Sequence, residues 1–318
     1  MPWISQGRPF TQIESSKIVT MGEVLDLFQQ DPAPERQVLL EKTANRCEII
    51  VGDAREILHG FPDGIFQCAV TSPPYWGLRD YGIHGQIGAE TRVGDYITDL
   101  VRVFREVRRV LSNDGTLWLN IGDSYTSGGR TWRDSDDKNK GRAMDYRPPT
   151  PDGLKPKDLI GVPWKLAFAL QDDGWYLRTD IVWNKPNCQP ESAKDRPTRS
   201  HEYVFLFSKS EKYYYDWESI QEPVQGPAQG SRQKTKNRRT VWNINTEPYP
   251  GSHFAVYPRS LARLCVLAGS RLESRVLDPF FGSGTTGVVC NELGRSSTGI
   301  ELSEEYAELA RERLLKRR

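Results

Sequence analysis

The sequence predicts an α/β fold, a sheet of strands with helices on both faces. Three observations predict it. An apolar run, Cys68-Ala69-Val70, stops at the stiff loop Ser72-Pro73-Pro74-Tyr75. A second unit reads strand, Gly-rich loop, helix, strand and acid between Arg275 and Glu301. Between the two, apolar residues repeat at helical spacing from Ile97 to Leu111. Apolar runs of strand length alternating with helix-periodic stretches are the signature of this class.

Residues 1–45 are polar, with a Pro break at Asp31–Pro34, and read as an N-terminal extension. Gly22–Gln30 is a short helical pattern within it. Cys47–Val51 reads as a strand ending in Gly52-Asp53, with a helical pattern at Ala54–Leu58. An acid there accepts hydrogen bonds either from a ligand amine or hydroxyl or, as an ordinary N-cap, from the helix itself. Strand, helix and the Cys68–Val70 strand then form one tight βαβ unit.

The Ser72–Tyr75 loop ends that unit. Proline lacks an N–H and fixes φ, so the chain leaves the sheet in an extended loop. Loops at the carboxyl ends of strands are where open α/β sheets bind ligands. This one offers a hydroxyl on Ser72, unconsumed carbonyls and the aromatic face of Tyr75, which suit a flat, amino-bearing ring. Trp76–Gly82 follows as a Gly- and aromatic-rich loop.

Ile97, Leu100, Val101, Phe104, Val107 and Leu111 form the apolar stripe of a helix. Arg102, Arg105, Arg108 and Arg109 face mostly away, as a solvated face. Asn113-Asp114-Gly115 reads as a turn, and Gly115–Ile121 as the next strand. Residues 124–156 are loop-like; Asp134–Asp137 lacks the Gly and distal Glu of a calcium loop. Leu159–Leu170 reads as a helix, Trp175–Trp183 and Tyr203–Phe207 as strands. From 209 to 250 the character changes: Tyr213–Tyr215 and Trp217 precede Arg232, Lys234, Lys236, Arg238 and Arg239, with Trp242 just after. Basic residues among polar ones and flanked by aromatics suit phosphate contacts, although a solvated loop reads the same way.

In the last unit, strand Val276-Leu277 ends in Asp278 and runs into Pro279–Gly287, with a helix opening near Thr285. The glycines permit tight turning and close approach of a ligand. No Lys stands where a triphosphate-binding loop needs one. Strand Ser297–Ile300 ends in Glu301, 23 residues after Asp278. That is where a Rossmann-like unit places an acid on a ribose. A helix over Ser303–Leu315 closes the chain.

Composition narrows the class. The chain has 318 residues, 37% of them hydrophobic, enough for one large α/β domain with insertions or two modest ones. The formal net charge of +1 gives no global electrostatic signature, so any nucleic-acid surface is local. Five scattered cysteines without a CxxC pattern read as reduced thiols and no metal site. With no apolar run of signal-peptide or membrane-spanning length, a soluble cytoplasmic protein is expected.

Together these motifs resemble the S-adenosylmethionine-dependent DNA amino-methyltransferases. Their order resembles the β group, in which the catalytic loop precedes the cofactor loop. Thr71-Ser72-Pro73-Pro74-Tyr75 resembles the catalytic motif. Asp278-Pro279-Phe280-Phe281-Gly282-Ser283-Gly284-Thr285-Thr286 resembles the cofactor loop. The resemblance assigns Asp53 to the cofactor's adenine and Glu301 to its ribose. It places His253-Phe254-Ala255-Val256-Tyr257-Pro258 beside the methionine part and Ile181–Pro186 near the target base. It spans roughly residues 46–318. It implies a Rossmann-like, class I methyltransferase sheet, circularly permuted, with an inserted target-recognition region at about 187–250, helped by 124–156.

The implied chemistry is direct methyl transfer to an amine of a base flipped out of double-stranded DNA. Tyr75 would stack on the ring, while the Ser72 oxygen and the Pro73 carbonyl accept the amine's N–H bonds. No metal and no covalent enzyme intermediate are needed. A cytosine-C5 enzyme would need a Cys, usually after Pro, and no Cys here follows Pro. In the family, Ser at the first motif position goes mostly with N4 of cytosine, and Asp or Asn with N6 of adenine. Ser72 therefore favours cytosine N4, with adenine N6 as the alternative. A methyltransferase for RNA or a protein amide, or an inactive DNA-binding protein, are the readings from other classes. The resemblance also implies a prokaryotic or phage origin, a homodimer as a possible assembly and a cognate restriction endonuclease as a possible partner.

Overall fold

The computed structural model describes residues 47–78, 83, 85–126, 148–224, 234–247 and 257–315. The expected N-terminal extension, most of the 124–156 loop, Arg232, His253 and Phe254 lie outside these residues. The described chain forms β1 (Cys47–Val51), α1 (Ala54–Ile57), β2 (Phe66–Thr71), α2 (Val93–Val110), β3 (Leu111–Ile121), α3 (Val162–Asp172), β4 (Tyr176–Asn184) and β5 (His201–Ser208). Then come β6 (Glu222–Pro223), β7 (Thr235–Lys236), β8 (Val241–Asn243), α4 (Arg259–Gly269), β9 (Arg275–Asp278), α5 (Thr285–Glu292), β10 (Ser296–Glu301) and α6 (Glu304–Leu315).

One eight-stranded sheet runs β1-β10-β9-β2-β3-β5-β4-β8. The strands from β1 through β3 are parallel, β5 is antiparallel to both β3 and β4, and β8 lies parallel to β4 at the edge. The β9–α5–β10 unit comes last in the chain yet sits between β1 and β2. An unpermuted doubly wound sheet opens with that unit, so the fold is the expected permuted, Rossmann-like sheet. Strand order turns outward in both directions from the β9–β2 pair, and ligands bind at such a switch point.

Period-two alternation divides each buried strand between the two faces. Ala69, Leu117, Leu119, Phe205, Phe207 and Leu277 pack in one apolar cluster with α1, α2 and α3. Cys68, Val70, Trp118, Val204, Leu206 and Val276 pack in a second with α4 and α5. Ala307 and Ala310 of α6 close a small third cluster over Ile49 and Phe281. Helices on both faces explain why the central strands read as continuous apolar runs.

Several boundaries differ from the sequence expectation. The turn at Asn113–Gly115 lies inside β3, which begins directly at the end of α2. The excess residues form an irregularity where the pairing jumps from Phe66–Leu111 to Cys68–Thr116. Asp114 is held there by Ser112 at 2.8 Å and Arg271 at 2.9 Å. The helix expected from Leu159 starts at Val162, because Leu159 bridges to Tyr125 and Gly161 takes φ 79° as N-cap. On α2 the buried stripe is Tyr96, Leu100, Val103, Phe104, Val107 and Val110, while Ile97 and Val101 are half-buried. Arg102 and Arg105 pair with Asp99 and Asp173, whereas Arg109 turns back onto Leu58 and Phe61 carbonyls at 2.8 Å. The range 187–250, expected as an insertion, contains β5 and β8, so the part outside the main sheet is smaller.

Candidate active site

The site grows from the ends of β2 and β9. Thr71, the last residue of β2, donates its hydroxyl to the Asp278 carboxylate at 2.6 Å. Asp278 ends β9 and is buried. It also accepts from Thr286 Oγ1 at 2.5 Å, Phe280 N at 3.1 Å and Tyr257 Oη at 3.1 Å. A carboxylate has about four acceptor positions, so protein donors fill this one. Burial lifts the Asp278 carboxyl above its ordinary value, against the hydrogen bonds from Thr286 and Thr71. Asp278 was expected at the cofactor; it instead clamps the catalytic strand to the Gly-rich loop.

That loop crosses from β9 to α5. Gly284 takes φ 78° as the N-cap of α5, a conformation an L side chain resists. Gly282 takes φ 51°, and a Cβ there would meet nothing within 4 Å, leaving backbone open to a ligand. Gly282 N donates to Glu301 Oε2 at 2.7 Å and Ser303 N to Glu301 Oε1 at 2.9 Å. Glu301 therefore keeps acceptor capacity that Asp278 lacks. Burial raises its carboxyl too, opposed by those same N–H groups. Thr285 and Thr286 turn inward: Thr285 Oγ1 accepts from Arg313 at 2.9 Å, and Thr286 bonds Asp278. Phe280 is half-buried and meets the Phe104 ring edge-on at 6.2 Å.

Asp53 at the end of β1 caps α1 through Arg55 N at 2.8 Å, as an N-cap would. Its carboxylate also holds the Arg55 guanidinium at 2.5 Å. The ends of β1, β10 and β9 nonetheless bring Asp53, Glu301 and the Gly-rich loop to one side. Gly52 N bonds the Glu301 carbonyl at 2.9 Å.

The Ser72–Tyr75 loop lies beside them. Tyr96 on α2 donates its hydroxyl to the Pro74 carbonyl at 2.9 Å, fixing the loop from beneath. The Pro73 carbonyl takes no hydrogen bond among the described residues, which leaves it for a substrate. Tyr75 Oη donates to Glu202 Oε2 at 2.8 Å, and Ser72 Oγ lies 3.5 Å from Tyr75 Oη. The Tyr75 ring packs on Gly122, where a Cβ would come within 2.8 Å of it. Burial and then the Glu202 charge push the Tyr75 phenol well above its ordinary value, so it stays protonated.

Glu202 and Tyr96 touch the candidate site and were missed by sequence reasoning, whereas Tyr257 lies in the segment that the resemblance placed beside the methionine part. Glu202 carries a signal in hindsight: it is a carboxylate at the start of an otherwise apolar strand, and a buried charge needs a partner. Tyr96 sits in the apolar stripe of α2, where its hydroxyl gives no sign. The expected DNA contacts fare differently. Arg239 and Lys236 pair with Glu222 at 2.6 and 3.6 Å, and Arg238 donates to the Ile220 carbonyl at 2.8 Å. Lys234 is exposed. Among the described residues no group of acids, His and Cys is placed to hold a metal ion, and no helix is long and apolar enough to cross a membrane.

A family model described as DNA methylase, of the N6 and N4 type, matches residues 66–312. The chain belongs to that family, the S-adenosylmethionine-dependent DNA amino-methyltransferases. The methylase is 73% identical to the Type II methyltransferase M.SmaI of Serratia marcescens, over 92% of this chain and 98% of that one. It is 59% identical to the Type II methyltransferase M.Cfr9I of Citrobacter freundii, over 85% of this chain and 88% of that one. Its fold is similar to PvuII DNA methyltransferase (cytosine-N4-specific), with TM-score 0.61 and 19% identity over 85% of this chain and 90% of that one. It is also similar to a putative DNA modification methylase of Thermus thermophilus complexed with S-adenosyl-L-methionine. There the TM-score is 0.56 with 28% identity, over 84% of this chain and 93% of that one.

The methylase's residues suit that cofactor. The glycine-lined turn at Gly282 admits a ligand against backbone. Glu301 accepts from Gly282 N and Ser303 N and keeps acceptor positions that suit ligand hydroxyls. Phe280 and Asp53 flank the same strand ends.

Proposed function

We propose that the methylase acts on N4 of cytosine in double-stranded DNA, as the modification partner of a restriction endonuclease. The observation that carries this reading is Ser72 at the carboxyl end of β2, in the motif position where the family's adenine enzymes have Asp or Asn.

S-adenosylmethionine, when bound, supplies a methyl group on a sulfonium sulfur that leaves as a neutral thioether. Glu301, the backbone around Gly282 and, after release from Arg55, Asp53 would hold it. The chain's own part is positioning and electrostatics. An exocyclic amine inside a duplex is out of reach, so the target cytosine must leave the stack. Tyr75 gives its ring a face to stack on. The amine's lone pair is delocalised into the ring and is a poor nucleophile. Ser72 Oγ and the Pro73 carbonyl accept its two N–H bonds, favouring a tetrahedral nitrogen whose lone pair points away from the loop. The nitrogen gains one bond to carbon and sheds one proton to water.

The test is methylation of unmodified bacterial genomic DNA with labelled S-adenosylmethionine, followed by digestion to nucleosides and mass spectrometry. N4-methylcytosine is expected. N6-methyladenine would transfer the mechanism to the other amine. Unlabelled DNA with intact cofactor binding would move the substrate to RNA or protein.

A further inference from the structure

We propose that Glu202 is a positioning residue that acts through Tyr75 to set the direction of the Ser72 hydroxyl. The inference rests on the amine-methylation reading and deepens it.

A serine at the first motif position has a difficulty that a carboxylate does not. An ionised carboxylate only accepts hydrogen bonds, whereas a hydroxyl carries its own proton. If Ser72 donated that proton to the amine nitrogen, it would occupy the lone pair that must take the methyl group. The Ser72 proton therefore needs another acceptor. The Tyr75 oxygen, 3.5 Å from Ser72 Oγ, is placed to be one.

Tyr75 accepts only if its own proton is committed elsewhere. Glu202 commits it, accepting the phenol hydrogen at 2.8 Å. Two further donors hold Glu202 in place. The Lys185 ammonium pairs with its Oε1, and Asn120 Nδ2 donates to its Oε2 at 3.1 Å. Lys185 is itself fixed: its backbone N–H bonds the Ser200 carbonyl at 2.7 Å, and its ammonium lies 4.4 Å over the Trp183 ring. Sheet pairing supplies the geometry, since Glu202 on β5 stands opposite Trp183 on β4. Asn120 lies near the end of β3, two residues before the Gly122 backbone that supports the Tyr75 ring.

Every hydrogen in this chain points one way. Lys185, Asn120 and Tyr75 donate to Glu202, and Ser72 donates to Tyr75. The Ser72 lone pairs are left toward the cleft to accept one N–H of the target amine, while the Pro73 carbonyl accepts the other. No proton changes owner in this scheme.

The test is a double-mutant cycle on the full chain with Tyr75→Phe, Glu202→Gln and the two combined. Turnover on unmodified genomic DNA, equilibrium binding of S-adenosylmethionine and thermal unfolding are read for each. Tyr75→Phe keeps the stacking ring and removes the relay oxygen. Each single change is expected to lower kcat by roughly ten- to a hundredfold, the scale of one charge-assisted hydrogen bond. Cofactor affinity and melting temperature should stay near wild type. Because both changes break one chain, the double variant should be no slower than the worse single variant. Losses that multiply, wild-type turnover in Tyr75→Phe, or a matching fall in cofactor affinity and melting temperature would each overturn the assignment. Failure of the cytosine reading is seen separately, in the wild-type product: N6-methyladenine there would refute N4 specificity, while the cycle would still decide the role of Glu202.

Discussion

Thr71 and Asp278 join the catalytic strand to the cofactor strand by one 2.6 Å hydrogen bond across the point where the sheet changes direction. The residue after Thr71 is the expected acceptor for the target amine, and Asp278 opens the Gly-rich loop. Two motifs some two hundred residues apart in the chain are thereby held in one register. Thr71→Val keeps the shape and removes the donor, leaving buried Asp278 one partner short. The variant should lose about 1–3 kcal/mol of stability, measured by urea unfolding. An unchanged midpoint would mean that the clamp is not needed.

The raised carboxyl of Glu301 gives cofactor binding a pH dependence. The free protein keeps this proton to a higher pH than the unfolded chain does, because burial disfavours the charge. A carboxylate that accepts from ribose hydroxyls binds best ionised, so the proton must leave first. Affinity for S-adenosylmethionine should therefore rise with pH from the ordinary carboxylate range through the raised value, then level off. Glu301→Gln should flatten the profile and weaken binding at its plateau. Calorimetry across pH checks both, and a profile unchanged by the substitution would remove Glu301 from the site.

Much of the sheet was legible because both of its faces are buried. Val276-Leu277 and Tyr203–Phe207 read as strands since no residue there had to serve solvent. The site was legible where it depends on backbone: the prolines after Ser72 and the glycines of 282 and 284 advertise their geometry. It was not legible where it depends on side chains from distant strands. Nothing local to Glu202 shows that β5 will cross beside β3 and bring its carboxylate to Tyr75. Asp278 and Thr286 look like ligand groups in sequence, yet they satisfy one another, since each is buried beside the other's bonding partner. The turn at Asn113–Gly115 was misplaced for a similar reason. The stretch lies between the paired positions Leu111 and Thr116, and N–H groups from beyond β5 hold it: Tyr214 N donates to the Asp114 carbonyl at 2.9 Å and Lys209 N to the Gly115 carbonyl at 3.1 Å.

Gly122 tests whether the placement of Tyr75 matters apart from its hydrogen bonds. An added Cβ would lie 2.8 Å from the Tyr75 ring and 3.3 Å from the Glu202 side chain. The ring must give way, and Glu202, its hydrogen-bond partner, crowds the same added atom. Gly122→Ala should therefore lower kcat by roughly a hundredfold, the scale of an ångström-sized misplacement. The stability cost should stay near about 1–3 kcal/mol, as for other overpacked sites. Turnover and urea unfolding separate the two effects, and normal turnover would show that the ring tolerates displacement.

Lys234 and Arg239 should respond differently to salt, although both stand in the same basic stretch. Arg239 is paired with Glu222 at 2.6 Å, beside Lys236, so the acid already offsets part of the charge a phosphate would meet. Exposed Lys234 has no ion pair among the described residues. Neutralising a phosphate contact removes about one released counterion from the salt dependence of DNA binding. Lys234→Ala should thus reduce the slope of log affinity against log salt by about one. Arg239→Ala should leave the slope nearly unchanged, and loosen the β6–β7 pair that Glu222 anchors. Filter binding on genomic fragments over a range of salt measures both slopes. Equal reductions would mean that Arg239 leaves Glu222 when DNA arrives, and that the hairpin itself contacts the phosphates.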